Sequence, residues 1–131
     1  MKQLCLAGTV WMLSSCAPDV MTDPATRIAY DVEQHVGQLG QEDGARLQLD
    51  RLTPRAPNEC SGAFKAQFDR VGMLAVWCYN ASGQVVGGGT TSYISRFIDL
   101  KETWVVDKKP GETLTMTLER RGGRAVVTAV R

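Results

Sequence analysis

The chain opens with one positive charge, Lys2, and a mostly apolar run from Leu4 to Leu13 that stops at Ser14-Ser15-Cys16. This feature constrains the fold more than any other, because it decides how much chain is left to fold and in which compartment. A charged start, an apolar stretch of about 7–15 residues and a small-residue cut site make an export signal. The run is too short for the roughly 20 apolar residues that span a bilayer, so a permanent transmembrane helix is not expected. Residues 1–15 are expected to be removed, and the 115 residues after Cys16 in this 131-residue chain suffice for one domain but not two. Beyond Cys16 the chain keeps two cysteines, Cys60 and Cys78. An even pair in an oxidising compartment is expected to form a disulfide. Closing a loop of this length contributes about 3 kcal/mol through chain entropy.

Leu13-Ser14-Ser15-Cys16 also resembles the lipobox of bacterial lipoproteins: an aliphatic residue, two small residues, then cysteine. The small side chains admit the peptidase, and the thiol is the group that can carry a thioether-linked diacylglycerol. Cys16 is thus the expected lipidation site, with residues 16–22 as a tether and residues 23–131 as a single periplasmic domain. Two or more acyl chains give stable attachment. Ala17 occupies the second mature position, and in enteric bacteria lipoproteins without Asp there tend to reach the outer membrane, the expected location here.

Along the domain, Asp23-Pro24 reads as a helix start, with Asp as N-cap and Pro at the first helical position. Ile28, Val32, Val36 and Leu39 follow on one helical face, and Gly40 ends the helix. His35 lies near that stripe as a flanking or partly buried histidine. Ala45, Leu47 and Leu49 alternate with polar residues as a half-buried strand. Thr53 to Glu59, with prolines at 54 and 57, is a loop. Phe64, Phe68 and Val71 have helical spacing and predict a second helix after Cys60, capped by Gly72. The disulfide would then join the start of that helix to the following strand, 73–79. Asn80-Ala81-Ser82-Gly83 is a turn. Gln84 to Ser95 reads as a mobile loop around Gly87-Gly88-Gly89, with Val85-Val86 at most a short strand. Strands are expected at 103–106, 113–117 and 125–130, with a hairpin at Gly122-Gly123. The order α-β-α-β-β-β predicts an α+β domain: an antiparallel sheet of about four strands with two helices on one face.

The catalytic templates fail one by one. His35 is the only histidine, sits mid-helix and has no nucleophile motif to serve. The triple glycine lacks the strand–GxxxxGK[ST]–helix context of a phosphate cradle. The two cysteines lack partners for a metal site, so no metal, cofactor or small-molecule substrate is expected. The full chain has 15 basic and 14 acidic residues. Without Lys2 the remainder is formally neutral, which gives no electrostatic reason to bind nucleic acid. Trp77 and Trp104 are read as core. Tyr93, Arg96 and Phe97, after the glycine segment, are candidate partner contacts, as are Arg120, Arg121 and Arg124 around the last hairpin.

The stretches "ARLQLDRLTP" (Ala45 to Pro54) and "WVVDKKPGETLTMTLERRGG" (Trp104 to Gly123), with the lipobox and a Phe64-bearing helix, resemble the TrbH-like lipoproteins of conjugative transfer operons. The Cys60/Cys78 pair and the Gly87–Ser95 stretch lie outside the shared pattern. The resemblance implies a non-enzymatic assembly component of a conjugative transfer or type IV secretion apparatus. Its partners would be protein subunits of an envelope-spanning complex, and its membrane contact the lipid on Cys16. A secretion pilotin or a periplasmic enzyme-inhibitor lipoprotein is the alternative expectation.

Overall fold

The computed structural model describes residues 23–54, 60 and 62–131. The expected export signal, Cys16, the expected tether through residue 22 and most of the expected proline loop lie outside the described residues.

Helix α1, Pro24–Val36, begins as its sequence dictates. Asp23 Oδ1 accepts from the Ala25 N–H at 2.9 Å and more weakly from Thr26 at 3.5 Å. Pro24 has no N–H to leave unpaired. Ala25, Ile28, Ala29 and Val32 are fully buried, the Ile and Val each worth about 1.5–3 kcal/mol of transfer free energy. The helix ends at Gly37, earlier than expected. Leu39 still reaches the core, because tight turns from His35 O to Gln38 and from Val36 O to Leu39 carry it inward. His35 is exposed on the helix, with Nδ1 2.7 Å from the Asp31 carbonyl.

Seven strands follow: β1 Arg46–Leu52, β2 Phe64–Phe68, β3 Leu74–Tyr79, β4 Val85–Thr91, β5 Trp104–Lys108, β6 Leu114–Arg121 and β7 Arg124–Val130. They form two antiparallel sheets, ordered β1-β6-β7 and β4-β3-β2-β5. Helix α1 packs against β4, β3 and β1, while β5 touches β7, so both sheets and the helix enclose one core. The domain is α+β, with one α-helix and a 3-10 turn at Tyr93–Arg96 among the described residues.

Several expectations are corrected. The predicted second helix is strand β2. Phe64, Ala66 and Phe68 face the core while Lys65 and Gln67 face outward, and Val71 is 68% exposed. Gly72 has φ +90°, but it closes the β2–β3 hairpin rather than a helix. The sheet count changes as well, since seven strands in two sheets replace about four in one. Finally, the Gly87–Gly89 segment is strand β4, paired with β3 from Leu74↔Thr91 to Cys78↔Gly87. Close approach favours glycine there: a Cβ on Gly88 would lie 2.4 Å from the Val76 carbonyl oxygen, which is backbone, and one on Gly89 would lie 2.1 Å from the Asp23 side-chain Oδ1.

Cys60 and Cys78 are disulfide-bonded, with Cα atoms 5.0 Å apart. The bond therefore ties the approach to β2 onto the end of β3, not a helix onto a strand. In β1, the register against β6 slips between Leu49 and Leu52, with Arg51 at φ +62°. That bulge is why Leu49 and Leu52, three apart, both face inward. Trp104 packs partly buried against the core, as expected. Trp77 does not: it lies half-buried on the outer face of its sheet, with Lys65 Nζ 5.3 Å from its ring centroid.

Candidate functional site

Three segments converge at one end of the molecule: the 3-10 turn, the residues after it, and the β6–β7 hairpin. Gly122 and Gly123 have φ of +57° and +82°, the two positive values that a type I′ hairpin turn needs. Asp43 Oδ1 accepts from the Gly122 N–H at 3.0 Å, so the turn after α1 rests on the hairpin. Asp99 joins the edge of β7 through a parallel bridge to Val126, donating its N–H to Ala125 O at 2.7 Å and accepting from Val127 at 3.0 Å. This covers part of an otherwise open strand edge.

Between these segments lies a cavity of about 200 Å³, whose walls include Arg96, Phe97, Asp99, Arg120 and Arg124. The three arginines differ in how they are held. Arg120 donates from Nε to Gly40 O at 3.0 Å, from Nη1 to Gly123 O at 3.2 Å and from Nη2 to Leu39 O at 3.3 Å. It therefore clamps the exit of α1 to the last hairpin. Arg124 grips Asp99 with a two-pronged pair, Nε to Oδ2 at 2.6 Å and Nη2 to Oδ1 at 2.8 Å. Lys101 Nζ approaches the same carboxylate at 3.6 Å. The Arg124 hydrogen bond holds the Asp99 carboxyl below the usual carboxylate range, and the pairing pushes the Arg124 guanidinium up. Arg96 is exposed, lies over the Tyr93 ring at 5.3 Å, and makes no salt bridge among the described residues.

Tyr93 stands beside the cavity. Its hydroxyl donates to Glu33 on α1, and its ring meets Phe97 edge-on at 5.1 Å between centroids. The Glu33 hydrogen bond is the main reason its phenol is pushed above the ordinary tyrosine range, with desolvation adding in the same direction.

The structure thus brings five of the six residues expected as contacts into one neighbourhood: Tyr93, Arg96, Phe97, Arg120 and Arg124. Arg121 is apart from them, paired through Nε with Glu119 Oε2 at 3.2 Å. Nothing local in Ile98-Asp99-Leu100 marks Asp99, because its hydrogen-bonding side-chain partner, Arg124, is 25 positions away. Two larger recesses lie elsewhere: one of about 270 Å³ beside Cys60, Phe64 and Glu112, and a shallow apolar one of about 360 Å³ over Ala75, Trp77, Val85 and Gly88 on the outer sheet face.

Among the described residues, no group of three or more His, Cys, Asp or Glu side chains could hold a metal ion, and no helix is long and apolar enough to cross a membrane. The chain matches no family model, and no curated protein or solved structure is similar enough to count as a match.

Proposed function

We propose that this protein is a bacterial lipoprotein, anchored to the outer membrane through lipid on Cys16, that serves as a non-enzymatic assembly component of a conjugative transfer or type IV secretion apparatus. The lipobox supports the anchor, and the TrbH-like pattern of the β1 and β5–β6 segments supports the machine. The observation that carries the partner-binding part is the cationic and aromatic cavity. Arg120 fixes its geometry through backbone carbonyls, while Arg96 and the Tyr93–Phe97 pair remain accessible to a partner. Arginine and aromatic side chains are the residue types that anchor protein interfaces.

The test is crosslinking in the native envelope, recovery of the lipidated protein and identification of its partners by mass spectrometry. Several transfer-channel subunits recovered together support the assembly role. A single secretin subunit points to a pilotin instead, and a single soluble enzyme to an inhibitor. Labelling with radioactive palmitate that persists in Cys16→Ser defeats the anchor.

A further inference from the structure

The recess beside Trp77 is apolar, but nothing in the structure indicates what would cover it. The buried indole N–H of Trp104 has no hydrogen-bond partner among the described residues, and Trp104 lines neither the arginine-walled cavity nor the Trp77 recess. The arginine-lined cavity, by contrast, has a shape and a charge that specify a ligand.

We propose that this cavity receives a carboxylate side chain from an acidic segment of a partner protein, held between Arg96 and the unoccupied edge of the Arg124 guanidinium. The proposal rests on the reading of the domain as a protein-binding module and names the chemistry of the segment it binds.

Three arginines face the cavity against one carboxylate, Asp99, which leaves an excess of two positive charges. Their N–H groups are unequally spent. Arg124 uses Nε and Nη2 on Asp99, so the donors of Nη1 remain available. Arg96 offers its whole fork, steadied by the Tyr93 ring beneath it. Arg120 is committed to three carbonyls and contributes a fixed positive charge rather than a movable hand. Phe97 and Ala125 also line the cavity, and hydrogen bonds from its arginines to a carboxylate are charge-assisted.

The size of the cavity narrows the ligand further. At about 200 Å³ it lies below the roughly 300–1,000 Å³ typical of small-molecule sites, and it has room for one acidic side chain. A membrane surface fits less well. Recruitment to anionic lipid uses clusters of about 4–8 Lys or Arg spread over a face, whereas three arginines line this cavity in a chain of net charge +1. Asp99 plays a defined part as the internal competitor. Its carboxylate occupies Arg124 donors that an incoming carboxylate would otherwise share.

The experiment uses the full chain in zwitterionic detergent micelles and a fluorescein-labelled Gly-Glu-Glu-Glu-Gly peptide, read by fluorescence anisotropy. The glutamine counterpart serves as control. The glutamate peptide should bind, and Arg96→Gln should weaken it about fivefold, as loss of one partly screened charge contact implies. Arg121→Gln, which alters a side chain pointing elsewhere, should leave binding unchanged. Asp99→Asn should tighten binding, because it frees Arg124 and removes the one negative charge. A merely structural Asp99 gives the opposite sign. The proposal is overturned if Asp99→Asn weakens binding, or if Arg121→Gln and Arg96→Gln have equal effects. It is also overturned if the chain ignores the peptide but binds phosphatidylglycerol vesicles through Arg96. Its failure is separable from that of the assembly role. Transfer subunits recovered undiminished from Arg96→Gln cells would uphold the assembly role and reject this site. Peptide binding without transfer subunits would do the reverse.

Discussion

Gly89 and Asp23 form a pair whose energetics can be worked out from the structure. Gly89 lies in β4, and a Cβ there would fall 2.1 Å from Asp23 Oδ1 and 2.8 Å from its Cγ. A carboxylate end can usually move aside. This one is engaged as the N-cap of α1, accepting from Ala25 at 2.9 Å. In Gly89→Ala the cap must therefore swing away, at a cost of about 1 kcal/mol. Against that, replacing glycine in a strand by alanine returns roughly 0.5–1 kcal/mol of backbone entropy. The net effect in the wild-type background is a loss of up to about 0.5 kcal/mol. Asp23→Ala alone should cost about 1 kcal/mol. With the carboxylate gone the clash is gone too, so Gly89→Ala added to Asp23→Ala should stabilise by about 0.5 kcal/mol. The signature is a coupling energy near 1 kcal/mol with a reversal of sign. Urea unfolding followed by tryptophan fluorescence, with the disulfide intact, measures all four corners of the cycle. At an m-value of about 2 kcal/mol/M, the coupling appears as a shift of about 0.5 M in midpoint. Additive effects would refute the argument, since the two residues would then not share the contact. Stabilisation by Gly89→Ala in the wild-type background would show that the cap never has to move.

Four further outcomes follow from other sites. Cys60→Ser/Cys78→Ser opens a crosslink with a sequence separation of 18, and should lower unfolding free energy by about 3 kcal/mol, measured by urea denaturation against the oxidised parent. Arg51, at φ +62°, should tolerate Gly with little change, whereas the β-branched Arg51→Val should cost about 1–2 kcal/mol, read as a drop in Tm of several degrees. Tyr93 should ionise above the ordinary tyrosine range in an ultraviolet absorbance titration, and Glu33→Gln should bring it back toward that range. Because its folded value is raised, its contribution is complete below the ordinary tyrosine range and lost as pH rises through Tyr93's own value. For Asp99 the sign is opposite. Its depressed value gives a contribution present above the ordinary aspartate range and lost as pH falls through the folded value. Urea midpoints of the parent and Asp99→Asn should therefore converge in acid.

The sequence announces α1 and the final hairpin clearly, because each rests on a local device: Asp23-Pro24 for the helix, adjacent glycines for the turn. The mistaken helix shows where local devices fail. Phe64 and Phe68 are four apart, which fits one face of a helix and equally one face of a strand, since two periods of two make four. Gly72 did not break the tie, because a left-handed glycine ends a helix and turns a hairpin alike. Ala66 could have decided it. It is a buried residue midway between the two phenylalanines, flanked by outward Lys65 and Gln67, and this alternation fits only a strand. The β4 segment was illegible for another reason. Its glycines carry no side chains to alternate, and what favours them is contact with Asp23 and Val76, residues distant in sequence.

The arginines follow the same logic. Arg120, Arg121 and Arg124 look like one basic cluster in the sequence, but β6 runs through Arg121, and successive strand residues point to opposite faces. Alternation alone therefore separates Arg120 from Arg121, and the structure shows the consequence: one guanidinium turned onto the carbonyls of Leu39 and Gly40, the other outward to Glu119. Arg124 stands across from Arg121 in register and therefore starts on that residue's face; it borders the cavity from the start of β7, beside the strand edge where Asp99 joins and takes its guanidinium. The cavity is thus a product of hairpin geometry plus one long-range backbone bridge. Altering the length of the Gly122-Gly123 turn should consequently dismantle the site more thoroughly than removing any single arginine, because it shifts Arg124 relative to both Asp99 and the fixed Arg120 at once.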